Sequence, residues 1–83
     1  MPEVNEGYEI IAAEVYRVKP GQGDRIVLGR METKYGVQFV TWESTVREQE
    51  DGSIQTDYFW GHYFNEEAEA RADYHKRLHE KYE

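Results

Sequence analysis

The chain contains no cysteine. No disulfide can staple it and no thiolate metal site can form, so ordinary side-chain packing must hold it. That absence fits a reducing compartment, and a cytoplasmic protein is expected. Leucine is nearly missing, with Leu28 and Leu78 the only two, and proline occurs only at Pro2 and Pro20. No run approaches the ~20 apolar residues of a membrane helix, which argues against a membrane-spanning role. Residues 1–6 are polar and acidic and lack the apolar stretch of a signal peptide.

Positive charge is scarce. Ten Lys and Arg stand against 17 Asp and Glu, for a net charge of −7. Residues 1–65 hold eleven acids and six bases, and residues 66–83 hold six acids and four bases, so the excess is spread along the chain. Nucleic-acid binding depends chiefly on phosphate neutralisation by Lys and Arg, so this charge balance argues against it. Acidity favours solubility and, where a partner is involved, a basic one.

What is present points to a sheet. Aromatic residues make up 14% of the chain, too many for a disordered segment. Val, Ile, Tyr, Phe, Trp and Thr dominate the apolar and semi-apolar set and favour strands. Eighty-three residues form one small domain. Residues 1–7 are expected as a flexible leader closed by Gly7, and residues 8–83 as the folded unit.

Residues 8–18 read as a strand and 19–24 as a loop built on Pro20, Gly21 and Gly23. Residues 25–31 read as a short strand, 32–36 as a turn and 37–47 as a long strand. After a turn at 48–53, residues 54–64 form the last strand. Asp51-Gly52 suits a two-residue hairpin turn, because glycine accepts positive φ. That turn places Ser44 opposite Phe59, Trp42 opposite Gly61 and Val40 opposite Tyr63. The Trp42 ring can then lie over the bare backbone of Gly61.

Alternation sorts this hairpin into two faces. Val40, Trp42, Val46, Phe59 and Tyr63 form the more apolar one, expected to be the core; which face the helix covers is left open. Phe39, Thr41, Glu43, Thr45, Tyr58, Trp60 and His62 form the other, expected to be open, with all of them but Thr45 expected to bind. Asn65 is a suitable helix N-cap, followed by Glu66 and Glu67, whose charge suits the helix dipole. Residues 66–82 then form an amphipathic helix, with Ala68, Arg71, Ala72, Tyr74, His75, Leu78 and Tyr82 inward. The expected fold is α+β: a four-stranded antiparallel meander (β-β-β-β-α) with the C-terminal helix packed on one face.

His75 and His79 have the i,i+4 spacing that two metal-bound imidazoles use, but Lys76 stands where a zinc-protease helix carries glutamate. No metal site or cofactor is expected. Gly21-Gln22-Gly23 feeds a strand rather than a helix N-terminus, so it reads as a hairpin loop and not as a phosphate loop. Glu43, His62, Thr41 and Tyr58 supply a carboxylate, an imidazole and hydroxyls, the ingredients of acid–base chemistry. One sheet and one helix offer little concavity for it, and no catalytic residue is expected. Exposed aromatics without accompanying cations fit a protein interface. The expected function is a small acidic, non-enzymatic interaction module, using its aromatic sheet face for self-association or partner docking. Two alternatives are an acidic inhibitor that mimics nucleic acid in a basic groove, and a small ligand-binding domain or enzyme centred on Glu43, Tyr58 and His62.

Overall fold

A computed structural model describes residues 2–82. Met1 and Glu83, the outermost residues of the expected leader and folded unit, lie outside the described residues. Five strands and one helix follow one another: β1 Val4–Asn5, β2 Tyr8–Lys19, β3 Gln22–Thr33, β4 Gly36–Glu48, β5 Ile54–Phe64 and α1 Glu67–Lys81. The strands form one antiparallel sheet in sequential order, curled into a half-barrel. The fold is α+β as expected, with one strand more. The extra strand, β1, lies within the expected leader, where Glu6 and Gly7 both adopt positive φ and turn Asn5 back onto Tyr8. Among the described residues no helix is long and apolar enough to cross a membrane.

The strands run longer than their apolar stretches because tight turns let the backbone ladder continue to the hairpin ends. Pro20-Gly21 closes β2 onto β3, with Gly21 at φ +73°. The β4–β5 turn differs from the expected two-residue form. Gln49 accepts from the Gly52 amide at 3.0 Å and donates to the Ser53 carbonyl at 2.7 Å, so three residues form the loop. Gly52 takes the left-handed position at φ +87°. The pairing next to the turn is therefore one residue out from the expected register: Ser44 faces Tyr58 rather than Phe59. Further along, an extra residue in β5 restores it, and Val40 faces Tyr63 as expected.

Helix α1 covers the face expected to be open. Ala70, Tyr74 and Leu78 pack on Ile26, Leu28 and Phe39, flanked by Ala12, Tyr16, Val37 and Phe64. The second face holds Tyr8, Val27, Val40 and Trp42, flanked by Ile10, Met31 and Tyr58. Phe39 and Thr41 thus lie beneath the helix, not on open surface. Thr41 is fully buried because the helix itself carries polar partners for it. Asp73 accepts from the Thr41 hydroxyl at 2.6 Å, and Arg77 donates to the Thr41 carbonyl at 3.1 Å and to its hydroxyl at 3.0 Å. Arg77 is buried, although helical spacing alone assigns it to water. Its stem packs apolar surface while its guanidinium finds acceptors in the sheet. The helix begins one residue later than expected. Glu66 is the N-cap and makes no side-chain cap bond, since Phe64 is still paired with Phe39.

The second face has no helix. Trp42 is 3% exposed because other rings enclose it: Tyr8 at 5.6 Å between centroids, Tyr58 at 5.4 Å and Tyr63 at 6.5 Å. Glu3 then crosses the face. Its carboxylate takes two bonds from Arg25, at 3.0 and 2.6 Å, and one from the Tyr58 hydroxyl. Arg25 also donates to Ser44 at 3.2 Å. Among the described residues no buried side-chain nitrogen or oxygen lacks a partner.

Candidate functional site

The extra residue in β5 shapes the site. Thr41 pairs with His62 and Glu43 with Phe59, so Trp60 and Gly61 together face Trp42. Two residues opposite one make a β-bulge, which bends the strand and re-aims its side chains. Gly61 is required here: a Cβ would stand 2.7 Å from the Trp42 indole nitrogen and 3.0 Å from the Tyr63 ring. The expectation that Trp42 lies over Gly61 holds. With glycine committed to position 61, the left-handed bulge position falls to Trp60, at φ +52°. An L-residue held there costs about 1–2 kcal/mol. The indole is turned outward and is 72% exposed, 5.8 Å from the Phe59 ring.

Phe59 and Trp60 form one wall of a cleft of about 330 Å³ on the helix side of the sheet, with Tyr16 also lining it. Asp24, Glu43, Ser44 and Thr45 complete the lining. Tyr16 is the extra residue of a second bulge, between the pairs Val15–Arg25 and Arg17–Asp24. Asp24 is held by Thr45 at 3.2 Å and Gln22 at 3.2 Å, with Arg17 at 3.8 Å. Glu43 is held by Lys81 at 3.1 Å and Arg77 at 3.7 Å. Lys81 also sits over the Tyr16 ring at 5.3 Å, and Arg17 approaches it at 5.8 Å. Burial raises the Tyr16 pKa, and Glu43 and Asp24 add to this against Lys81 and Arg17, so the phenol is a hydrogen-bond donor at neutral pH. Each carboxylate has its own cation, which leaves the cleft charge-balanced with aromatic walls. The cleft thus presents aromatic walls beside the Tyr16 hydroxyl, while the Thr45 hydroxyl already donates to Asp24.

The six residues singled out from the sequence are divided by the fold. Glu43 and Trp60 line the cleft. Phe39 and Thr41 are buried under α1. His62 lies on the same face, with its Nδ1 2.9 Å from Asp73, and is partly exposed. Tyr58 is on the other face, between Trp42 and Glu3. The sequence reading missed Tyr16 and Asp24 and assigned Phe59 to the core. The Pro20-Gly21 turn carries the signal for Asp24, because it sets the β2–β3 register. Tyr16 has no comparable signal, since its inward position depends on a bulge. His75 stacks edge-on against Tyr74. Among the described residues no group of three His, Asp or Glu stands where a metal ion could be held.

No family model, curated protein or solved structure matches this chain.

Proposed function

We propose that the chain is a small acidic, non-enzymatic interaction module that docks a protein partner on the cleft formed by Phe59, Trp60 and Tyr16. The observation that carries this reading is Trp60, an exposed indole held in a left-handed backbone conformation next to a second exposed ring. Strain of this kind persists where a side chain must be aimed, and tryptophan is the residue most enriched among interface anchors. The net charge of −7 favours approach by a basic partner, while the ring contacts supply the affinity.

Trp60→Gly separates binding from folding, because glycine is at ease at this φ. Immobilised wild type and variant are exposed to the same cell extract, and the retained proteins are identified by mass. The expected result is a protein held by the wild type, lost with Trp60→Gly and little affected by added salt. Identical retention by both chains would sink the cleft as the docking site. A partner whose binding collapses with salt regardless of Trp60 would instead favour a nucleic-acid mimic.

A further inference from the structure

The sheet ends in two free edges, and they are built differently. Beyond the short β1, most of β2 is an edge. It carries two bulges, at Ile11 and Tyr16, and ends in Lys19 and Pro20. Bulges, lysine and proline are the devices that stop an edge from pairing with another chain. The β5 edge lacks them over residues 54–59. This stretch pairs without a break to residues 43–48 and contains no Lys, Pro or Gly. Its one charge, Asp57, is bound within the sheet by Arg47 at 3.2 Å. The bulge at Trp60 and Gly61 ends the regular stretch.

Within this stretch, residues 54–58 are complementary to themselves. Two antiparallel copies related by a twofold axis through the sheet must pair residues that point to the same face. With Thr56 opposite Thr56, Ile54 of one copy meets Tyr58 of the other on one face. On the opposite face Gln55 meets Asp57, an amide against a carboxylate. Moving the axis to residue 57 places Asp57 against Asp57, a repulsive pair. Moving it to residue 55 leaves Tyr58 facing the Gly52 turn. We propose that residues 54–58 of β5 pair with the same segment of a second copy, centred on Thr56, so that two five-stranded sheets become one. The pairing stands apart from the cleft reading, because it uses backbone groups at the edge and the Ile54–Tyr58 contact, not the Trp60 ring. A five-residue edge is a small interface, so the dimer forms weakly and grows in with concentration.

The lack of cysteine makes the test direct. In Thr56→Cys, the two thiols of a dimer face each other across a directly opposed pair, with Cα atoms about 4.5–5.5 Å apart, within disulfide reach. In Gln55→Cys the two positions are offset along the strands to roughly 8 Å, beyond it. Val18→Cys places a thiol on the β2 edge. Under mild oxidation Thr56→Cys is expected to yield a covalent dimer of twice 9.9 kDa, several-fold faster than either control. Equal rates for all three, or a faster Val18→Cys, would overturn the proposal. Sedimentation of the unsubstituted chain gives an independent reading. A mass that rises with concentration in the wild type but stays at 9.9 kDa in Thr56→Lys supports it. A wild type that remains at 9.9 kDa at the highest concentration, or a dimer indifferent to Thr56→Lys, refutes it.

Discussion

The two faces of this sheet are closed by different means. On one, a 15-residue helix covers Ile26, Leu28 and Phe39 and brings a polar cluster with it. Asp73, Thr41, Arg77, Glu43 and Lys81 form a connected set between helix and sheet. On the other, no helix is present, and Trp42 is enclosed by three tyrosine rings and by the Glu3 segment. A helix buries a stripe continuously but brings every residue of that stripe, polar or not. A ring of aromatics buries one large side chain without a second layer, since each ring covers much area at little entropic cost. A chain with only two leucines closes its second face in this way.

The comparison is most sharply broken at Arg77. Arg77→Ala removes the buried guanidinium that bonds Thr41 and faces Glu43 beneath the helix. A loss of about 3 kcal/mol is expected, at the lower end for a broken buried pair because Lys81 still reaches Glu43. Urea unfolding measures it, and a cost below about 1 kcal/mol would mean that the polar cluster does not hold the helix down. On the other face, Glu3→Gln weakens the bonds from Arg25 and Tyr58. Glu3 is more than a third exposed, so solvent screens it and a loss of only about 1 kcal/mol is expected. Tyr58 fluorescence or amide exchange near Trp42 would show whether the segment has lifted. If Glu3→Gln cost as much as Arg77→Ala, the second face would depend on its strap rather than on its rings.

Acid should act on the helix side. Burial raises the Asp73 pKa, but hydrogen bonds from Thr41 and His62 outweigh this, and the net shift is downward. A carboxylate depressed in the folded state contributes stability that is present above its unfolded pKa, about 3.9, and is lost as pH falls through its lower folded value. The wild type should therefore lose more stability than Asp73→Asn between about pH 5 and pH 2. Parallel pH profiles for the two proteins would remove Asp73 from the account. The smallest effect is expected at Trp60. Replacing it with glycine relieves a left-handed L-residue and adds backbone freedom to the unfolded chain. The two nearly cancel, leaving a change within about 1 kcal/mol by thermal unfolding. A larger loss would make Trp60 a packing residue and weaken its reading as a docking anchor.

Much of the fold is legible in the sequence. The run of β-favouring residues, the turn signals at Pro20-Gly21 and Asp51-Gly52, and the uninterrupted C-terminal segment are local, and local preference decides them. The contact between Trp42 and Gly61 was legible as well, because only a glycine admits a ring that close. The site was legible only in part. Glu43 and Trp60 line the cleft, but Tyr16 enters it by way of a bulge, and Phe59 changes face when the hairpin turn takes three residues instead of two.

By itself the sequence determined the antiparallel meander, the C-terminal helix and the net negative charge, since these follow from composition, period and turn chemistry along the chain. Only the tertiary structure decided which face the helix covers. Alternation defines two faces, but the contacts that join the helix to one of them are tertiary: Ala70, Tyr74 and Leu78 pack on Ile26, Leu28 and Phe39, and Arg77 finds acceptors at Thr41. The structure alone also placed the bulges and the Glu3 strap. Each depends on contacts between residues far apart in the chain, where a single added residue reverses the direction of every side chain beyond it.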